Sequence, residues 1–210
     1  MSSNIRSLCR LGVSTVLALA LALPLAASAG PDEDYQAGFD AYRKRGDIVG
    51  AMPPLRRAAA AGHIEAQLLL GYILDWSEEN EEAVRIYRQA AAAGDPRGQL
   101  ELGRMYLAGE GVERDPMEAR NWFEMAQAQG HIPATIQIAY AYLNGTMGYA
   151  QDYGQARVLF RQALDAGFQQ AQSGLEAIDR AEAAARAAAD RAAAAAKTEA
   201  GTAAPQQAKP

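Results

Sequence analysis

His63 and His131, in the strings "AGHIEA" and "QGHIPA", are the only imidazoles in the chain. An imidazole is suited to metal ligation or to proton transfer near neutral pH, and both tasks require it to converge with a second reactive group. The two strings match each other, and each histidine directly follows a glycine that closes an alanine-rich run, so they are read as equivalent polar turn residues. Three other stretches invite chemistry. "GEGVE", residues 109–113, lacks the preceding strand and the following lysine and serine of a phosphate loop. The acidic strings "DED" at 32–34 and "EENEE" at 78–82 lack the alternating ligand spacing of a calcium loop, and suit helix N-termini, where the dipole favours negative charge. No catalytic residue, no metal ligand and no cofactor is assigned.

The ends of the chain narrow the setting. Residues 1–29 carry Arg6 and Arg10, an apolar run from Leu11 to Leu23, then Pro24 and "ASA". That pattern predicts a secretory signal peptide cleaved near Ala29–Gly30, because the apolar run is shorter than the roughly 20 residues that cross a bilayer. The only cysteine, Cys9, lies within it, so the expected mature chain has no thiol for a disulfide, a metal or a nucleophile. Loss of Arg6 and Arg10 from 20 basic residues leaves 18 against 25 acidic ones, the wrong sign for nucleic acid. Membrane attachment would require the signal to be retained. From about Ala181 no apolar side chain exceeds alanine. Residues 170–196 are expected to continue helically with a solvated outer half, and the last dozen residues to be disordered.

Between these ends lies a repeat. Eleven residues before Gly62, Gly94, Gly130 and Gly167 stand Ala51, Ala83, Ala119 and Ala156. Four residues after each alanine stand Leu55, Tyr87, Phe123 and Phe160, and seven after it Ala58, Ala90, Ala126 and Ala163. Positions i, i+4 and i+7 share a helical face, so each unit holds a second helix whose seam is small at both ends and large in the middle. The glycine that follows is expected to take the left-handed conformation and stop the helix. Gly38, Gly71, Gly103 and Ala139 mark a first helix, and the positions −5, −3, −1, 0, +3 and +4 around them form its apolar face. Asp95, Asp115 and Asp152, with Asn80 in the second unit, are expected N-caps. Pro53 and Pro54 predict that the second helix of the first unit begins late or kinks. The fold class is all-α, a right-handed α-solenoid of four helix–turn–helix units at about 33–62, 66–94, 98–130 and 134–167. Leu175 and Ile178 would dock a terminal helix, closing the array near residue 180.

The string "GQLELGRMYLAGEGVERDPMEARNWFEMAQAQG" resembles a Sel1-like repeat, a relative of the tetratricopeptide repeat, in its "LGxxY" first helix, "GxGVxxD" loop and "AxxWFxxAxxxG" second helix. The fourth unit follows the pattern with an inserted residue in "GTMGYAQD". The second has only "WSEEN" for a loop, and the first, "AYRKRGDIVGAMPPL", is closer to a tetratricopeptide turn. The resemblance implies a non-catalytic adaptor or scaffold for protein partners, with the first helices lining a concave side. Relatives linked to β-lactam chemistry depend on a cysteine framework absent here.

Burial of the first-helix seam leaves an arc at −2, +1, +2 and +5. It holds Phe39, Tyr72, Arg104 and Tyr140 at +1, and Trp76 at +5 of the second unit. Aromatic residues and arginine dominate protein interfaces. Phe39, Tyr72, Trp76, Arg104 and Tyr140 are therefore the expected partner groove, with Arg104 meeting an acidic or C-terminal group. For Tyr72 and Trp76 a second reading stands open, that they fold over the short loop of unit two as satellite core. The sequence thus describes an exported, monomeric, periplasmic adaptor that binds another protein or peptide segment. A cell-envelope glycan or muropeptide is the alternative ligand, since aromatic platforms also suit sugars. The alanine-rich helix would serve as a spacer of about 40 Å, at 1.5 Å per residue.

Overall fold

The computed structural model describes residues 30–202, with side chains to residue 198. The expected signal peptide and residues 203–210 lie outside the described residues. Nine α-helices and no strand occupy the described part: α1 (Pro31–Arg45), α2 (Ile48–Ala60), α3 (Ile64–Trp76), α4 (Asn80–Ala92), α5 (Pro96–Ala108), α6 (Pro116–Ala128), α7 (Ile132–Asn144), α8 (Tyr153–Asp165) and α9 (Ala171–Thr202). Each helix packs chiefly on the next in the chain, and contacts that skip one are sparse. A right-handed solenoid results, in which no helix pair can bury its apolar face except against its neighbours.

The helices stop where the glycines require it. Gly62, Gly94, Gly130 and Gly167 have φ of +86°, +88°, +78° and +90°. The amide after each donates back to the carbonyl five residues earlier: His63 to Ala58, Asp95 to Ala90, His131 to Ala126 and Phe168 to Ala163, at 2.9–3.1 Å. This is the Schellman arrangement, which satisfies carbonyls that the helix end would otherwise orphan. Starts follow the aspartates. The Asp95 carboxylate accepts from the amides of Arg97 and Gly98, Asp115 from Met117 and Glu118, and Asp152 from Gln155. Asn80 does not cap α4: it is the first helical residue, Glu79 holds the cap position without a side-chain bond, and Asn80 Oδ1 is buried without a partner. Glu78 takes φ of +63° in the turn that leads into α4.

The core is a large apolar side chain set against a small residue, repeated along the stack. Leu55, Tyr87, Phe123 and Phe160 are almost wholly buried. A side chain added to Gly38, Gly71 or Gly103 would meet Leu55, Tyr87 or Phe123 at 2.5–2.6 Å, so the small residue is what lets the two helices of a unit close on a large one. Gly174 of α9 meets Phe160 in the same way at 2.3 Å. With Ala171 and Ile178 fully buried and Leu175 packed beside them, α9 opens as the first helix of a fifth unit and then runs on in solvent. It continues to Thr202, four residues into the stretch expected to be disordered.

Three details depart from the sequence reading. Position −4 of the first helices is buried although polar: Asp34, Gln67, Gln99 and Thr135 are the buried polar residues among the described ones. Asp34 accepts two bonds from Arg57 Nε at 3.0–3.1 Å, Gln67 donates to the Ala59 carbonyl at 3.1 Å, and Gln99 accepts from Gln129 at 2.8 Å. In the first three units the −4 residue thus makes a polar contact to a neighbouring segment, although Gln67 Oε1 stays buried without a partner. Position +2, assigned to the open arc, is buried in units two to four as Ile73, Met105 and Ala141. Finally, α2 does not begin late. It starts at Ile48 with Pro53 and Pro54 inside, and the carbonyls those prolines leave without donors belong to the exposed Val49 and Gly50, where water can reach them.

The glycine loops of units three and four lie over the start of the preceding second helix. Gly111 packs so closely on Asn80 that a side chain there would sit 2.2 Å from its carbonyl carbon, and Gly148 packs on Met117. Val112 joins the neighbouring core, and Met147 and Tyr149 are buried in theirs. Tyr149 donates to Glu124 at 2.5 Å, meets the tilted ring of Tyr142 at 4.3 Å and receives the Arg120 guanidinium 3.9 Å above its ring. The short loop of unit two provides no such plug, and Val49 at the start of α2 stays 83% exposed.

Candidate functional site

A cleft of about 750 Å³ opens on the side formed by the first helices. Its walls come from α1, α3 and α5, with α7 and the start of α9 at one rim and Tyr87 of α4 at its base. First helices reach it because every second helix turns its large residue inward to the glycine seam, leaving the opposite faces of α1, α3 and α5 side by side.

Of the five groove residues expected from the sequence, Phe39, Tyr72 and Arg104 line this cleft. Trp76 lies next to it, in a small hollow of about 140 Å³ that Tyr72 also borders together with Tyr42 and Ile48. Tyr72 is 52% and Trp76 69% exposed, so neither is satellite core. Tyr140 is placed elsewhere. Its ring meets Phe160 edge-on at 4.9 Å, and its hydroxyl is 3.1 Å from that of Ser173 on α9. The extra helix at the end of the stack takes up the position that the first three units leave open.

Sequence reasoning missed the charge of the cleft. Glu65, Asp75 and Glu101 line it together with Arg97 and Arg104. Arg97 is fully engaged: its guanidinium spans both oxygens of Glu65 at 2.7–3.0 Å and reaches Asp95 at 2.8 Å. Those bonds hold its pKa above the usual value. Arg104 faces Glu101 at 3.3–3.4 Å, three residues away on the same helix. Burial, with the like charge of Asp75, pushes the Glu101 carboxyl above the usual glutamate range, while Arg104 only partly opposes this. The Asp75 carboxylate has no hydrogen-bond or ion-pair partner among the described residues. The signal was present as acids at −2 and +4 of adjacent first helices, but only the stacking of α3 on α5 brings those positions together.

The histidines do not build a metal site. His63 caps α3, accepting from the Ala66 amide through Nδ1 at 3.2 Å, and its ring stacks on Tyr35 at 4.6 Å. His131 stands at the cleft rim before α7, where burial lowers its pKa and Nε2 is enclosed without a partner. Among the described residues no group of three or more His, Cys, Asp or Glu could hold a metal ion, and no helix is long and apolar enough to cross a membrane.

Comparison with known proteins agrees with this architecture. A family model described as Sel1 repeat matches residues 64–95, 96–131 and 132–168. An uncharacterized protein of Neisseria meningitidis serogroup B is 32% identical over 145 residues, covering 68% of this chain and 31% of its own length. The alginate biosynthesis protein AlgK of Pseudomonas putida is 32% identical over 146 residues, covering 67% of this chain and 29% of its own. The chain therefore spans less than a third of these two curated relatives. A crystal structure of a Sel1 repeat protein from Oxalobacter formigenes superimposes with a TM-score of 0.64 at 26% identity, covering 70% of this chain and 61% of that one.

Proposed function

This chain belongs to the Sel1 repeat family, a family of non-catalytic protein-interaction scaffolds, and from that premise we propose that it is an exported periplasmic adaptor whose cleft holds an extended segment of another protein. The observation that carries this reading is the contrast within one repeat position. At +1, Tyr140 is tied down by α9, whereas Phe39 and Tyr72 line the cleft and, among the described residues, neither is held by the terminal helix. Aromatic rings offer large contact area at small entropic cost, and exposing them without a ligand leaves hydrophobic surface in water. Phe39, Tyr72 and Arg104 form the contact surface, Trp76 extends it, and Tyr140 fixes α9 at its edge. Export follows from the pattern of residues 1–29, and the name of the alginate relative supports an envelope setting.

Photo-reactive residues at Tyr72 and Arg104, compared in intact cells with one at Val158, exposed on α8, test the reading. Discrete protein adducts from the first two positions, lost when Phe39→Ala is added, are expected. Equal labelling from Val158 would remove the cleft from consideration, and retention on purified peptidoglycan in place of protein adducts would favour the glycan ligand.

A further inference from the structure

The strongest unassigned property of the molecule is the electrostatic asymmetry of its cleft. Of the two cations there, Arg97 has its donors divided between Glu65 and Asp95, and Arg104 leans toward Glu101. An incoming carboxylate would have to displace an acid already present. Asp75 has no hydrogen-bond or ion-pair partner among the described residues, Glu101 is only loosely neutralised, and the two acids feel one another. His131 at the rim, with its pKa lowered by burial, supplies no balancing positive charge at neutral pH. The same cleft is lined by Phe39 and Tyr72, whose ring faces attract cations in their own right.

We propose that the cleft selects a cationic side chain, a lysine or arginine of the bound segment, seated between Asp75 and Glu101 with its aliphatic stem against Tyr72. The proposal rests on the adaptor reading above and specifies the chemistry of the partner. It reverses the expectation that Arg104 anchors an acidic group. The physical reason is that a cation between Asp75 and Glu101 is attracted to both carboxylates, which offsets the desolvation of Glu101 and screens its repulsion from Asp75, whereas an anion would add to the repulsion. Long basic side chains also match the shape of the site, because their stems lie along apolar surface while the charged head reaches a carboxylate.

Selection of random displayed dodecapeptides on the immobilised full-length protein tests this, run in parallel on the Asp75→Asn/Glu101→Gln variant and on the Phe39→Ala/Tyr72→Ala variant. Circular dichroism melts confirm that each is folded. Sequences enriched on the wild type are expected to carry a lysine or arginine, to lose roughly tenfold or more in affinity when that residue becomes norleucine, and to weaken with salt. On Asp75→Asn/Glu101→Gln the norleucine penalty should fall to about threefold or less, since only cation–π attraction remains. Enrichment of uncharged or acidic sequences that still depend on Phe39 and Tyr72 would overturn the cationic inference and leave the cleft as a binding site. Sequences that bind the Phe39→Ala/Tyr72→Ala variant as well as the wild type, or no enrichment at all, would overturn both.

Discussion

The second and fourth units share one helix-pair design and differ in what lies over it. In the fourth, an eight-residue glycine loop drives Met147 and Tyr149 into the preceding unit and α9 crosses the first-helix face, holding Tyr140 to Ser173. In the second, "WSEEN" turns in three residues with Glu78 strained at positive φ; Val49 stays exposed nearby, and Tyr72 and Trp76 stay exposed around one small hollow. The comparison teaches that the repeat itself does not decide which surface is available. Coverage does, and here the uncovered half supplies the cleft.

Three measurements would break or sharpen that contrast. The largest effect is expected at the loop plug. Tyr149→Ala empties a buried site and deprives Glu124 of a donor, and should cost about 2–3 kcal/mol in urea denaturation. Trp76→Ala, the loop-edge aromatic of unit two, should stay within about 0.5 kcal/mol. Equal losses would show that the second unit is packed as tightly as the fourth. Next, Glu78→Gly should stabilise the protein by about 0.5–1 kcal/mol, because glycine occupies φ of +63° without a Cβ clash. A loss on that change would place the strain elsewhere.

The smallest effect concerns Glu101. Its carboxyl is raised in the folded state by burial and by Asp75, so between the ordinary glutamate value and the raised one the folded chain binds more protons than the unfolded chain. The contribution to stability is full below the ordinary value and is lost as pH rises through the folded pKa. Asp34 has the opposite sign: Arg57 lowers its pKa, so its contribution is present above the ordinary aspartate value and is lost as pH falls. Glu101→Gln should raise the melting temperature by about one degree at pH 7 and leave it unchanged near pH 4. A lower melting temperature at pH 7 would mean that the Arg104 pair outweighs desolvation.

Much of the scaffold was legible in the residues. The glycine ruler located every second helix and its stop, and the seam placed Leu55, Tyr87, Phe123 and Phe160 in the core with their small partners. The aspartate caps were legible too. The polar row at −4 was not, because a polar residue at an isolated position reads as surface until a partner such as Gln129 or Arg57 is seen across the helix interface. Nor was the burial of +2, which depends on a helix of another unit. Pro53 and Pro54 read as breakers because the sequence does not reveal that the carbonyls they orphan face water.

For the candidate site, the +1 register was read directly and brought Phe39, Tyr72 and Arg104 to one cleft. The departure of Tyr140 depended on how far α9 lies across unit four, and the acidity of the cleft on which charges find partners. Taken alone, the order of residues determined what helical periodicity and local hydrogen bonding can determine: where each helix lies, which stripe it buries, and that such pairs must stack. The three-dimensional arrangement decided which rings stay uncovered and which carboxylates stay unpaired. Those properties belong to pairs of distant segments, and a charge or an aromatic face acquires its energy only from what is placed opposite it.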